Sequence, residues 1–383
     1  MAQYRSRRAT PIGGSATSLG AEVAGRNPDM KEPTHVLDEK EIKSAISGKK
    51  VLVTGGTGSF GHEILRELIK FNPASILVFS RDEKKQHDMR LAYSEYKYID
   101  FMIGDVRNAD RVREAMRGKQ IVFHAAALKQ VPSCEKAPFE AVLTNINGAE
   151  NVRLAALGAN VETVVSVSTD KAVKPVNVMG MSKAIQERIM QQASDASGTK
   201  FVCVRYGNVL GSRGSIVPLF VERILAGQPL PITHEEMTRF QLSLSEAVKL
   251  VFWATVRGSS GDMWVKKMPS IKVTEMGQYL AHGLTGCESY PTEIIGTRPG
   301  EKLHEVLVSE EEMWRAVEYP GHFLIPSWRE SFDTNLAQSP NFTEYSSSSV
   351  DFLDKEAFLT MLRDDGWIAE SGFGPGKKVG HYG

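Results

Sequence analysis

The chain has 383 residues and a mass of 42.3 kDa; 46 Lys and Arg balance 46 Asp and Glu, and 42% of residues are apolar. That is enough for one elaborate α/β domain or two smaller ones. Zero formal charge and a pI near 7.1 argue against a general nucleic-acid binder or a polybasic membrane-surface protein, because neither would gain counterion release. Three cysteines, Cys134, Cys203 and Cys287, cannot build a disulfide framework and show no metal-ligand spacing, so a reducing cytoplasm is the expected setting. No apolar run reaches the roughly 18–20 residues that span a bilayer. No hydrophobic stretch follows Arg5, Arg7 and Arg8 to make a secretory signal. The first 28 residues hold four Arg, three Ser and one acidic residue, Glu22, a composition shared by transit peptides and disordered tails.

Residues 1–35 are rich in Gly, Ser, Ala, Arg and Pro and lack the apolar side chains that offset the entropy of ordering, so a flexible tail is expected. Leu37, Glu41, Ile42, Ala45 and Ile46 then recur at helical spacing up to Gly48, predicting a short helix before the first strand. Between 49 and 206 strands and helices alternate. The strands are predicted at Lys50–Thr54, Ser75–Ser80, Ile99–Ile103, Ile121–His124, Thr163–Ser168 and Phe201–Tyr206. The helices are predicted at Gly61–Phe71, Asp110–Arg117, Pro138–Gly158 and Gly180–Ser194. Short β-branched runs separated by amphipathic stretches give an α/β fold with a doubly wound parallel sheet of Rossmann type, here over 36–206. Beyond Tyr206 the pattern is mixed: helices at Leu219–Ala226, Ser243–Ala254 and Val273–His282 and a strand at Asp262–Lys267, read as a smaller substrate unit over 207–325. Residues 326–383 form a C-terminal extension with one periodic segment, Asp354–Arg363, and aromatics (Trp328, Phe342, Tyr345, Phe352, Trp367) expected to pack on the rest.

The first strand runs into Thr54-Gly55-Gly56-Thr57-Gly58-Ser59-Phe60-Gly61. Glycines three apart between an apolar strand and a helix let the backbone turn tightly and bring a pyrophosphate to the helix N-terminus, where free N–H groups and the macrodipole favour an anion. Gly55, Thr57, Gly58, Ser59, Phe60 and Gly61 are therefore the expected dinucleotide cradle. The second strand ends in Ser80-Arg81. Arg81 suits stacking on adenine and pairing with a 2′-phosphate, which favours NADP over NAD. Asp82 leaves NAD open, as either a ribose partner or a helix cap. Asp105, followed by Val106 after the third strand, suits the adenine amino group or a helix cap. Ala125 and Ala126 at the end of the fourth strand let backbone pass beside the cofactor. His124, His304 and the methionines at 179, 181 and 190 show no zinc-like pairing, and no metal is expected.

Strand five ends in Ser168-Thr169-Asp170-Lys171, with Met179-Gly180-Met181-Ser182-Lys183 beyond it. With TGGTGSFG at the turn, SRDE at 80–83, HAAALKQVP at 124–132, STDKAVKPVNVMGMSK at 168–183, RYGNVLGSRGS at 205–215, TRF at 238–240 and TRPGEKLHE at 297–305, the chain resembles the extended short-chain dehydrogenase/reductase superfamily. Within it the chain is most similar to the nucleotide-sugar 4,6-dehydratases that act on UDP-N-acetylglucosamine and invert C5. The likeness covers about residues 37–328.

The resemblance implies that Lys183 binds the nicotinamide ribose. The position of the superfamily's tyrosine base holds Met179, whose thioether cannot transfer a proton. Either the site is silent or another group deprotonates the sugar hydroxyl, and a dehydratase subgroup that also carries Met beside an intact Asp-Lys pair favours the second. A 4,6-dehydratase oxidises C4, removes the acidified C5 proton, expels the C6 hydroxyl as water and returns the hydride to C6, so an acid and a base are needed near C5–C6. The resemblance assigns Lys171 as C5 base and Asp170 as acid at C6, with Thr169 hydrogen-bonding the sugar. These roles predict a lowered Lys171 pKa and an Asp170 pKa raised by burial. The 4-hydroxyl base is left among Asp170, Lys171 and an ordered water. Asn208, Arg239, Arg298 and Glu301 match the positions that meet the phosphates and uridine ribose, and Lys129 the sugar or its phosphate. The resemblance further implies a bound NADP, a UDP-sugar substrate and a homo-oligomer. A UDP-N-acetylhexosamine 4-epimerase and a silent nucleotide-binding protein are the rival readings.

Overall fold

A computed structural model of the chain describes residues 37–192, 198–212, 214–327 and 343–379. The expected tail over 1–35, the end of the helix drawn to Ser194, and Trp328 and Phe342 lie outside the described residues.

A short helix α1 (Glu39–Ile46), started by a capping box between Asp38 and Glu41, buries Ile42 and Ile46. There follow β1 (Lys50–Thr54), α2 (Ser59–Ile69), β2 (Ser75–Ser80), α3 (Glu83–Ala92), β3 (Ile99–Ile103), α4 (Ala109–Met116) and β4 (Ile121–His124). Two short helices, α5 (Val131–Lys136) and α6 (Pro138–Ala141), lead through a π-helical segment (Val142–Asn147) into α7 (Gly148–Gly158), then β5 (Thr163–Thr169), α8 (Val178–Gln192) and β6 (Lys200–Tyr206). All six predicted strands are present within one residue of their expected bounds.

The predicted helix Pro138–Gly158 is interrupted. Asn145 turns inward there, its amide donating to Leu128 O at 2.9 Å and to Ser182 Oγ at 2.9 Å while its oxygen accepts from Leu128 N at 2.8 Å. The wider π turns carry that side chain to the loop, at the expense of regular α spacing.

The second half contains β7 (Asn208–Val209), α9 (Ile216–Leu225), β8 (Leu230–Ile232), β9 (Thr238–Leu242), α10 (Leu244–Arg257), β10 (Met263–Lys266), β11 (Ser270–Lys272), α11 (Val273–Thr285), β12 (Thr292–Ile294), β13 (Val306–Val308), α12 (Glu310–Met313), β14 (Val317–Tyr319), β15 (His322–Ile325), β16 (Tyr345–Ser346) and α13 (Lys355–Asp364). Among the described residues the largest sheet has nine strands in the order β14-β15-β10-β6-β5-β4-β1-β2-β3. It is parallel from β3 to β10, with β15 and β14 added antiparallel. Its last three strands thus come from 263–325, the segment expected to belong mainly to a smaller substrate unit. Helices α1, α2 and α10 cover one face, and α4, α7 and α8 the other. Burial on both faces explains why β1, β4 and β6 read as continuous apolar runs. No helix among the described residues is long and apolar enough to cross a membrane.

A second apolar core joins α9, α11, β8 and α13 with Trp367 and Ile368. Trp367 is buried and lies where a Cβ on Gly211 would be only 2.2 Å away. Tyr345 stacks on Phe240 with centroids 5.5 Å apart, so the extension packs through these two aromatics, while Phe352 stays 44% exposed.

Candidate active site

The sheet order reverses between β1 and β4, and α/β sheets bind ligands in the crevice at the carboxyl ends of such strands. A continuous cleft of about 1190 Å³ opens there. It is lined by Gly55, Thr57–Phe60, Ser80, Arg81, Asp105, Val106, Ala125 and Ala126 at one end, Thr169, Lys171, Met179 and Lys183 in the middle, and Lys129, Asn208, Arg239, Arg298 and Glu301 beyond. The fold therefore gathers onto one cleft nearly every residue singled out in the sequence. Gly61 and Asp170 are the two that do not line it.

Gly55 has φ +68°, and a Cβ there would sit 2.8 Å from the Ala126 backbone. Only glycine lets β1 turn beside β4 at this point. Gly61 serves packing, since its Cβ would meet Gly56 O at 2.1 Å. Gly58 caps α2 with no side-chain hydrogen bond, leaving its first N–H groups for an anion. Thr144, in the π-helical segment, lines the same cleft with a buried hydroxyl that has no hydrogen-bond partner among the described residues. The glycine cradle and this unused hydroxyl fit a dinucleotide.

At the Ser80 end of the cleft Asp82 is the N-cap of α3, its side chain accepting from Lys85 N at 3.0 Å. Asp105 caps nothing, because Asn108 caps α4. It is instead paired with Arg107 at 2.7 Å and Arg81 at 3.6 Å. Partial burial opposes its charge, but hydrogen bonds from Arg107 and the two guanidinium charges hold its carboxyl below the usual range.

Helix α8 begins where Asn177 Oδ1 accepts from Gly180 N at 2.8 Å. This sets Met179 and Lys183 one turn apart. Met179 is buried with Cys134, Ala141 and Leu128. Lys183 Nζ donates to Val167 O at 2.6 Å and Gln186 Oε1 at 2.8 Å, and burial lowers its pKa to about 8. His124, wholly buried at the end of β4, bonds Thr54 Oγ1 through Nδ1 at 2.8 Å; burial and then Lys183 depress its pKa to about 3, so it is neutral.

The Lys171 surroundings differ from the expectation. Its ammonium lies 3.0 Å from Asp170 Oδ1 and 3.3 Å from Glu305 Oε1. Burial alone would lower its pKa, as anticipated, but the two carboxylates outweigh burial and raise it. Lys171 is therefore an ammonium at rest. Asp170 has 0% exposure, and Thr169 Oγ1 donates to its Oδ1 at 2.8 Å. Asp170 does not itself line the cleft, and its Oδ2 has no hydrogen-bond partner among the described residues.

Arg239, 8% exposed, donates to Thr238 O at 2.8 Å and to Leu303 O at 3.2 Å. Arg298 and Glu301 form a turn, Glu301 N donating to Arg298 O at 3.1 Å. Asn208 Oδ1 is buried without a hydrogen-bond partner among the described residues. Glu305, Lys302 and Thr144 line the cleft and were missed in the sequence. The HE pair closing the quoted 297–305 motif was the only local signal for Glu305.

A family model described as polysaccharide biosynthesis protein matches residues 51–327. A Rickettsia typhi protein named UDP-glucose 4-epimerase is 47% identical over 323 residues, covering 82% of this chain and 90% of its own. The X-ray structure of Pen from Bacillus thuringiensis is similar with a TM-score of 0.77 and 37% identity, over 83% of this chain and 98% of Pen. DesIV from Streptomyces venezuelae, a dTDP-glucose 4,6-dehydratase solved with NAD bound, shares the fold with a TM-score of 0.63 at 20% identity, over 84% of this chain and 99% of DesIV. With its Rossmann-type sheet and this match over most of its length, the chain belongs to the polysaccharide biosynthesis protein family.

Proposed function

We propose that the protein is a cytoplasmic, NADP-dependent UDP-N-acetylglucosamine 4,6-dehydratase that inverts C5. The broader statement, an enzyme of nucleotide-sugar epimerase/dehydratase type, rests on the family and on named relatives. The observation that carries the finer reading is Lys171 on the cleft with carboxylate oxygens at 3.0 and 3.3 Å. A 4-epimerase needs one base for the 4-hydroxyl; an ammonium–carboxylate cluster answers the second demand, an acid and a base at C5–C6.

NADP, held by the cradle with Arg81 at its 2′-phosphate, would supply a nicotinamide that takes the C4 hydride and gives it back at C6. Met179 offers no proton acceptor. The 4-hydroxyl proton instead leaves through a water beside the Thr169 hydroxyl, which itself donates to Asp170 Oδ1, 2.8 Å away, so that Asp170 stays a carboxylate. Lys171, charged at rest, passes its proton to a neighbouring carboxylate before it removes the proton at C5. Asn208, Arg239, Arg298 and Glu301 orient the UDP group, arginine forks matching phosphate oxygens.

The rival 4-epimerase reading is favoured by the name of the Rickettsia typhi relative. Mass spectrometry of the product from UDP-N-acetylglucosamine decides: a sugar lighter by one water is expected, and unchanged mass with a new epimer would replace the dehydratase reading.

A further inference from the structure

Glu305 is 2% exposed yet lines the cleft. Residues far along the chain fix it: its N–H donates to Ser347 Oγ at 2.9 Å, and Ser347 N donates back to Glu305 O at 2.8 Å. Ser347 is itself bonded to Thr238 Oγ1 at 2.7 Å, and its carbonyl accepts from Ser270 Oγ at 2.6 Å. The Glu305 backbone is thus held by β9, β11 and the C-terminal segment together. Oε1 sits 3.3 Å from Lys171 Nζ, while Oε2 is buried and accepts no hydrogen bond from the described residues. The other nearby cations, Lys302 and Arg239, are each 3.9 Å from a Glu305 oxygen, beyond hydrogen-bond reach. A buried carboxylate oxygen without a donor, in a residue that faces the cleft, is a place for a donor that arrives with the substrate.

We propose that Glu305 is a catalytic residue of the elimination step, the carboxyl group that protonates the C6 hydroxyl as it leaves. The proposal rests on the 4,6-dehydratase reading and gives the acid role to the carboxyl that faces the cleft in place of the covered Asp170. After C4 is oxidised, the Lys171 proton moves 3.3 Å to Glu305 Oε1, leaving a neutral amine and a carboxylic acid. The amine takes the C5 proton, and the electron pair of the C5–H bond forms the C5–C6 double bond. The C6–O bond breaks with its electrons on oxygen, which takes the Glu305 proton and departs as water. Lys171 is again an ammonium and Glu305 a carboxylate.

Full-length wild type and Glu305→Gln are incubated with UDP-N-acetylglucosamine in deuterated water, scoring water loss by mass and deuterium at C5 of the sugar that keeps its C6 hydroxyl. Glu305→Gln should lose water about 10²–10³-fold more slowly while C5 exchange stays within about threefold, because Lys171 and Asp170 remain. Water loss within about threefold of wild type overturns the proposal. So does a parallel fall in exchange and water loss, which would make Glu305 a positioning residue for Lys171. Should Glu305→Gln fail to hold NADPH, Glu305→Asp is scored by the same ratio, with water loss again expected to fall further than exchange. A wild type that releases no water overturns the dehydratase reading and this role with it; a dehydrating wild type matched by its variants overturns this role alone.

Discussion

Lys171 and Asp170 are neighbours in sequence and partners in space, Nζ to Oδ1 at 3.0 Å, yet only the lysine reaches the cleft. In the proposed mechanism the lysine is the working group and the aspartate its buried partner. Lys171→Ala should slow water loss by about 10²–10⁴-fold while NADPH fluorescence shows the cofactor still bound. Normal turnover in that variant would remove the proposed C5 base. Wild-type turnover in deuterated water should place deuterium at C5 of the product, and none there would contradict elimination.

Lys183 titrates near 8 in the folded protein because burial disfavours its charge, whereas the ordinary lysine value is 10.5. Between these values the unfolded chain holds a proton that the folded chain has released, so this group adds stability as pH rises from about 8 to about 10.5. Below 8 both states are protonated and the burial penalty is in full force. Lys183→Met escapes the penalty, so its stability advantage over wild type near pH 7 should shrink towards pH 10, by about 3 kcal/mol at most. Unfolding of cofactor-free protein at both pH values measures it, and a constant difference would contradict the assigned burial effect.

Arg81, half-exposed at the mouth of the cleft, is 3.6 Å from Asp105, which Arg107 already pairs at 2.7 Å. That leaves Arg81 able to turn to a 2′-phosphate. Arg81→Ala should weaken NADPH about 10- to 100-fold and leave NADH nearly unchanged in fluorescence titrations. Equal losses for both would shift the assignment to NAD.

Arg205 is buried between Glu187 of α8 at 2.7 Å and Glu312 of α12 at 2.9 Å. Glu187 also accepts from Ser168 Oγ at 2.5 Å, so the cluster ties α8, which carries Lys183, to the end of β5. Arg205→Met strands two buried carboxylates and should destabilise the protein by about 3–5 kcal/mol in urea unfolding. Replacing Arg205, Glu187 and Glu312 together by apolar residues should recover most of that loss; no recovery would contradict the buried-charge account.

The sequence alone determined the parallel sheet and the glycine turn, because both are written in short stretches of chain. β-Branched runs mark strands buried on two faces, and Gly55, Gly58 and Gly61, three apart after the first strand, mark a turn that needs glycine at Gly55. The resemblance then named most residues that line the cleft. Tertiary structure alone decided which way those residues face and what charge they carry. Adjacent in the chain, Asp170 and Lys171 part because the backbone after β5 turns one side chain under the cleft and the other into it. The charge on Lys171 depends on Asp170 beside it and also on Glu305, 134 residues further along, whose place depends in turn on Ser347. Electrostatic interactions act through space, and the contacts that set them come from segments too distant in sequence to leave a local pattern.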